Sequence, residues 1–200
     1  MKLNGLNKPL NEQLKIFKKI IMKDKELKKI LEVLENSGLK NYYLAAGTIN
    51  KAIINYYTNH DFNYGKSDID IAYFDNDLSY KKEDKTIKKL EKLLFKFNRE
   101  LDIKNQARAH LWYKSKFGYD INPFNSVEDA IKSWGFTIQC IGVRLENKKL
   151  IVYAPYGLDD LFSLTLRPVK TGVFTEEAYN KKVLKWTSVW KELKVIKWND

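Results

Sequence analysis

Two aspartates flank Ile69 in the run Ser67-Asp68-Ile69-Asp70-Ile71-Ala72-Tyr73-Phe74-Asp75. Strand side chains alternate between faces, so Asp68 and Asp70 leave one face about 7 Å apart at their α-carbons. Neighbouring anions repel, and burying them uncompensated is costly. A divalent cation with a taste for hard oxygen ligands, such as Mg²⁺, compensates them. A solvated polar face on an edge strand fits the same spacing, and the pair alone does not decide between the two.

The elements that must position these acids come next. Tyr42-Tyr43-Leu44-Ala45-Ala46 reads as a buried strand that ends at Gly47-Thr48. A helix is predicted at once, because Ile49, Ala52, Ile53 and Tyr56 recur at helical spacing. Glycine lets backbone approach a ligand, and a helix start presents free N–H groups that suit phosphate oxygens. The Thr48 hydroxyl can cap the helix or bind a phosphate. Lys51, one turn on, can reach a phosphate as a point charge or simply lie on the surface. An ordinary strand-to-helix turn also explains Gly47-Thr48.

Strand, Gly-Thr, helix, then a strand with Asp-x-Asp resembles the nucleotidyltransferase superfamily typified by DNA polymerase β. In that superfamily a third acid comes from a later strand, and Leu101-Asp102-Ile103 matches that position. The run Asp102-Ile103-Lys104-Asn105-Gln106-Ala107-Arg108-Ala109-His110-Leu111-Trp112-Tyr113 resembles the signature of a bacterial family of nucleotidyltransferase-like proteins. Matching blocks follow at Ser126–Ile131, Ile141–Leu145 and Ala154–Phe162, so the likeness runs from about Tyr42 to Trp198. The chain departs from the family pattern after Gly47, where Asn50, Lys51 and Ile54 stand in place of an Arg or Gln and a Trp. It departs again at Trp134-Gly135, where the family often reads Trp-Pro.

The resemblance implies an α+β fold, a mixed β-sheet flanked by helices. It implies transfer of a nucleoside monophosphate from an NTP to a hydroxyl acceptor by a two-metal mechanism. Asp68, Asp70 and Asp102 would be catalytic and hold two Mg²⁺ (or Mn²⁺) ions about 3.5–4 Å apart. Gly47, Thr48, Lys51 and Arg108 would bind nucleotide phosphate, with a structural carboxylate the equal alternative for Arg108. Arg108 and His110 share a face with Gln106, near Asp102, if the chain from Asn105 to Leu111 stays extended. The acceptor could be RNA, including a tRNA end, a protein hydroxyl or a small alcohol. A catalytically inactive nucleotide- or RNA-binding module with the same fold is the alternative.

Composition sets the outer bounds. Two hundred residues suffice for one sizeable core, and the abundant Tyr, Phe and Trp argue for a folded chain. A formal charge of +11 favours polyanionic partners, although a lysine-rich solvated surface explains it equally. Cys140 is the only cysteine, which rules out an internal disulfide or a cysteine-based zinc site. Its setting in Ile138-Gln139-Cys140-Ile141 reads as a strand with the thiol buried. The lone thiol, together with no apolar run of membrane-spanning length and no signal pattern, leads to a cytoplasmic expectation without membrane partners. Oligomeric state is not legible.

One domain over residues 1–200 is expected, with residues 1–40 a helical prelude packed on it. Stripes at Leu10, Leu14, Phe17 and Ile21, and at Leu27, Ile30, Leu31 and Leu34, mark its two helices. Asp24 is the expected N-cap of the second and Gly38 its stop. A polar aromatic loop over 57–66 is expected to overhang the acids and to order on substrate binding. A charged helix from about Ser79 to Asn98 leads to the Asp102 strand. A hairpin about Glu146–Lys149 and a closing helix over 175–190 complete the reading.

Overall fold

A computed structural model describes residues 2–200. The chain opens with helices α1 (Leu10–Ile21) and α2 (Lys25–Glu35). Strand β1 (Tyr42–Ala45) runs directly into α3 (Ala46–Thr58), and β2 (Ile69–Tyr73) into α4 (Tyr80–Leu94). After β3 (Leu101–Asn105) come α5 (Ala109–Phe117) and α6 (Val127–Ile131). The hairpin of β4 (Gly142–Glu146) and β5 (Lys149–Tyr153) follows, then α7 (Asp159–Phe162), β6 (Thr165–Leu166), α8 (Glu176–Val189) and β7 (Lys194–Val195).

Local chemistry sets many of these boundaries. The Asp24 carboxylate accepts from the Glu26 and Leu27 amides and so caps α2, as its position predicts. Ser79, Ser126 and Thr175 cap α4, α6 and α8 in the same way. Asn147 and Lys148 both take positive φ between β4 and β5, the twist that a two-residue hairpin turn requires.

Five strands form a mixed sheet in the order β3-β2-β1-β4-β5, and β6 pairs separately with β7. Only β2 and β3 run parallel within the five, with Asp70 opposite Asp102 in register. Helix α4 supplies the crossover that a parallel pair needs. Period-two alternation divides the sheet into two faces. Leu44, Ile69, Ile71 and Ile103 join the main core with Phe17, Ile20, Leu31 and Leu34 of α1 and α2. Tyr43, Ala45 and Ala72 join a smaller cluster with Val127 and Ile131 of α6. Asp70 lies on this second, partly covered face.

Three expectations change. Leu10 is exposed, and Gln13 and Ile20 take its place on the buried side of α1. Residues Thr137–Gln139 form a 3₁₀ turn instead of a strand, although Cys140 is fully buried. Its thiol donates to the Trp134 carbonyl, and burial pushes it up to about 12. The chain also leaves β3 at once, because the Asn105 carboxamide oxygen accepts from the Ala107 amide and starts a 3₁₀ turn.

Candidate active site

The three acids predicted to converge do so. One carboxylate oxygen each from Asp68, Asp70 and Asp102 lies within 4.8 Å of the others. Alternation on β2 gives the first two, and the parallel register with β3 delivers the third. Asp102 is half exposed and pairs with Lys104 at 3.2 Å.

Asp70 is held from α3. The Thr48 amide and hydroxyl both donate to its Oδ2, each at 3.1 Å. The Asp70 amide in turn donates to Thr48 Oγ1 at 2.7 Å. The Thr48 hydroxyl thus orients an acid and does not cap its own helix. Ala46 enters α3 with φ at +47°, a conformation costly for any residue with a Cβ, and so sets the following amides over the acid. A Cβ at Gly47 would make ordinary contact, 3.4 Å from both Asp70 Oδ2 and Lys51 Cε. Glycine here is not demanded by packing, and it leaves room beside the carboxylate.

The electrostatics are unbalanced toward negative charge. Burial pushes the Asp70 carboxyl up to about 6, and the charge of Asp68 adds to the rise. The hydrogen bonds from Thr48 oppose it and are outweighed. Asp70 Oδ1 has no hydrogen-bond partner among the described residues. Three hard oxygen donors, one raised in pKa and one with an open oxygen, form a donor set that a divalent cation fits.

Lys51 donates to Ser67 Oγ, and burial lowers its pKa against the pull of Asp70 and Asp68. It therefore lies beside the acids. Arg108 does not. With the strand ended at Asn105, its guanidinium pairs with Glu83 at 2.9 Å and donates to the Leu78 carbonyl.

Two cations escaped sequence reasoning. Arg99 donates from Nε to the Ser67 carbonyl at 2.7 Å and from Nη2 to the Asp68 carbonyl at 2.9 Å. Its Nη1 reaches Glu26 of α2 at 3.1 Å, and Lys66 meets the same Glu26 at 3.0 Å and Asp24 at 3.5 Å. Burial pushes the Glu26 carboxyl up, but Lys66 and Arg99 outweigh it and hold it low. Lys182 of α8 is the second. Burial lowers its pKa, and the nearest opposing influence is Asp70. Arg99 lies three residues before Asp102, and the parallel register with β2 sets it beside Ser67 and Asp68; no local spacing ties residue 182 to the acids.

The acids open onto a cavity of about 210 Å³. Asp70, Asp102 and Lys182 line it together with Gln106, Trp112 and Phe174. Gly135 is required here: a Cβ on it would lie 2.3 Å from the Phe174 ring. The Trp134-Gly135 departure thus gives Phe174 its place in the wall. The loop expected to overhang the acids is instead fastened beside α8, with the Tyr64 hydroxyl donating to the Val189 carbonyl.

A family model described as nucleotidyltransferase matches residues 32–195. A solved structure, described as revealing a CCA-adding enzyme head domain, is similar with a TM-score of 0.76 and 26% identity. The match covers 96% of this chain and 100% of that one. No curated protein matches the chain. Among the described residues, no helix is long and apolar enough to cross a membrane.

Proposed function

The chain belongs to the nucleotidyltransferase family, with the polymerase β-like fold, and from that premise we propose that it moves a nucleoside monophosphate from an NTP to a hydroxyl acceptor. The observation that carries this reading is the convergence of Asp68, Asp70 and Asp102 within 4.8 Å. Residues 1–200 act as one domain in it. RNA is the favoured acceptor. The charge of +11 supports that choice, as does the likeness to a structure described as a CCA-adding enzyme head domain.

Asp68, Asp70 and Asp102 would hold Mg²⁺ or Mn²⁺, two ions in this reading. Bound there, the metal supplies Lewis acidity that makes an acceptor hydroxyl nucleophilic and neutralises phosphate charge. The chain's own residues do the rest. Thr48 fixes the Asp70 carboxylate, and Arg99 fixes the backbone that carries Asp68. Lys51 and Lys182 border the acids with positive charge suited to the phosphates, and Gly47 leaves space for them. Asp102, half exposed and contributed by the neighbouring strand, takes the acceptor proton. The acceptor oxygen bonds to the α-phosphorus as the bond to the bridging oxygen breaks and pyrophosphate leaves. Positioning and charge neutralisation lower the barrier. Arg108, committed to Glu83, has no part in this scheme.

Labelled transfer tests it. With Mg²⁺ or Mn²⁺ and each of the four α-labelled nucleotides in turn, purified protein is expected to label RNA in a cell extract. No label from any nucleotide would leave a binding module that lacks catalysis.

A second test reads the metal without activity. Either ion at about a hundred times its dissociation constant is expected to raise the melting temperature by roughly 5–10 °C at pH 8. At pH 5, below the value of about 6 to which Asp70 is pushed, the proton competes and the gain shrinks. An equal gain at both pH values would move the ion elsewhere.

A further inference from the structure

The cavity beside the acids has a lining that the transfer chemistry does not use. Trp112 and Phe117 of α5 contribute to it, with Phe174 and Trp134. Trp112 stacks on Tyr113 with ring centroids 5.7 Å apart, which fixes that wall. Lys182 lies 5.2 Å from the Phe174 ring centroid and donates to Gln139 Oε1 at 3.3 Å. Lys116 likewise lies 5.5 Å from the Trp112 ring centroid and 5.4 Å from that of Phe117, so the chamber is lined by aromatic rings with lysines beside them.

Gln106 is the informative residue there. It is 7% exposed and lines the cavity, yet its carboxamide meets no hydrogen-bond partner among the described residues. Its amide atoms are not sealed off, so they face the cavity with a donor and an acceptor free to meet a ligand. Asp102, Lys104 and Gln106 alternate along β3 and just past its end, and all three line the same cavity. Three strand steps and the entry to the 3₁₀ turn place Gln106 roughly 10–13 Å from Asp102 along the chain.

We propose that the aromatic lining of this cavity receives the nucleobase of the NTP and that the Gln106 carboxamide reads the base edge. This rests on the nucleotidyltransferase reading and adds to it a binding pocket and a specificity-determining residue. A nucleobase is flat and stacks on aromatic rings whatever its identity. Its edge carries adjacent donors and acceptors that match the donor and acceptor of a carboxamide. A ribose separates the base from the phosphates, as the strand separates Gln106 from Asp102. The Gly135 departure belongs to this pocket, because it admits the Phe174 ring.

Calorimetry on the full chain with Mg²⁺ tests the assignment, with four non-hydrolysable NTPs and inorganic tripolyphosphate as probes. Parent protein is expected to bind the preferred NTP roughly tenfold more tightly than tripolyphosphate. It is also expected to prefer that base roughly tenfold over the weakest. Gln106→Met, near in shape but without the amide, should compress the base preference to below about threefold and leave tripolyphosphate binding in place. Phe174→Leu should weaken all four nucleotides together, which keeps a readout if the first variant folds poorly. Nucleotides no tighter than tripolyphosphate, or a base ranking untouched by Gln106→Met, would overturn the pocket and leave the transferase reading standing. Failure of every probe to bind would overturn both.

Discussion

Asp70→Asn is expected to abolish nucleotidyl transfer, by roughly 10³-fold or more, and to yield a metal-free protein that melts higher than the parent. Both effects have one cause. The carboxylate is raised from 3.8 to about 6, chiefly by burial and then by Asp68. Between these values the native state holds a proton that the unfolded chain has lost, so stability falls as pH rises through the window. Above it the ionised Asp70 costs about 3 kcal/mol. Asparagine keeps an oxygen for the Thr48 amide and carries no charge, so most of that cost disappears at neutral pH. Thermal melts at pH 5 and pH 8, run beside the transfer assay, check it. The stability gain should appear at pH 8 and shrink at pH 5. Transfer at parental rate would mean that another site does the chemistry.

Trp190→Ala is expected to remove about 4 kcal/mol of folding stability. The indole is 2% exposed, and its Nε1 donates to the buried Asn55 Oδ1 at 2.8 Å. Asn55 in turn donates to the carbonyls of Phe62 and Tyr64. Gly65, with φ at +60°, lets the loop backbone lie against the ring, where a Cβ would sit 2.6 Å away. His60 stacks on Tyr64, which meets the indole edge-on. Truncation therefore empties a large site, leaves a buried acceptor unpaired and frees the loop that leads into Ser67 and Asp68. Urea denaturation should show a lower midpoint, and limited proteolysis should find new cleavage between residues 59 and 66. A loss below about 1.5 kcal/mol would mean that the site collapses around the missing ring.

The acids were legible because strand periodicity is strict. Ile69 and Ile71 are buried behind Asp68 and Asp70, and Ile103 lies behind Asp102, as alternation requires. The caps at Asp24 and Ser126 were legible because a short polar side chain acts on its own neighbours. Arg108 was misplaced through one residue, Asn105. Its side chain bonds to the Asp75 backbone as well as to Ala107, and those contacts fold the chain over where alternation would have carried it on. The stretch before Cys140 is apolar enough for a strand, and only the surrounding tertiary structure makes it a turn. Lys182 reaches the acids from a distant segment, and Arg99 does so only through the pairing of β3 with β2, and no periodicity encodes a meeting of either kind. The loop after α3 was read as free because its anchor, Trp190, is more than 120 residues away in sequence.

The Glu26 bridge to Lys66 and Arg99 separates two boundaries that are easily confused. The family model begins its match at residue 32, whereas Asp24 and Glu26 lie upstream of it, and the likeness to the solved structure extends over 96% of the chain. A chain trimmed to the family-model segment would retain every acid and lose the strut that steadies the first of them. The span that a family pattern recognises is therefore shorter than the machine that is mechanically whole.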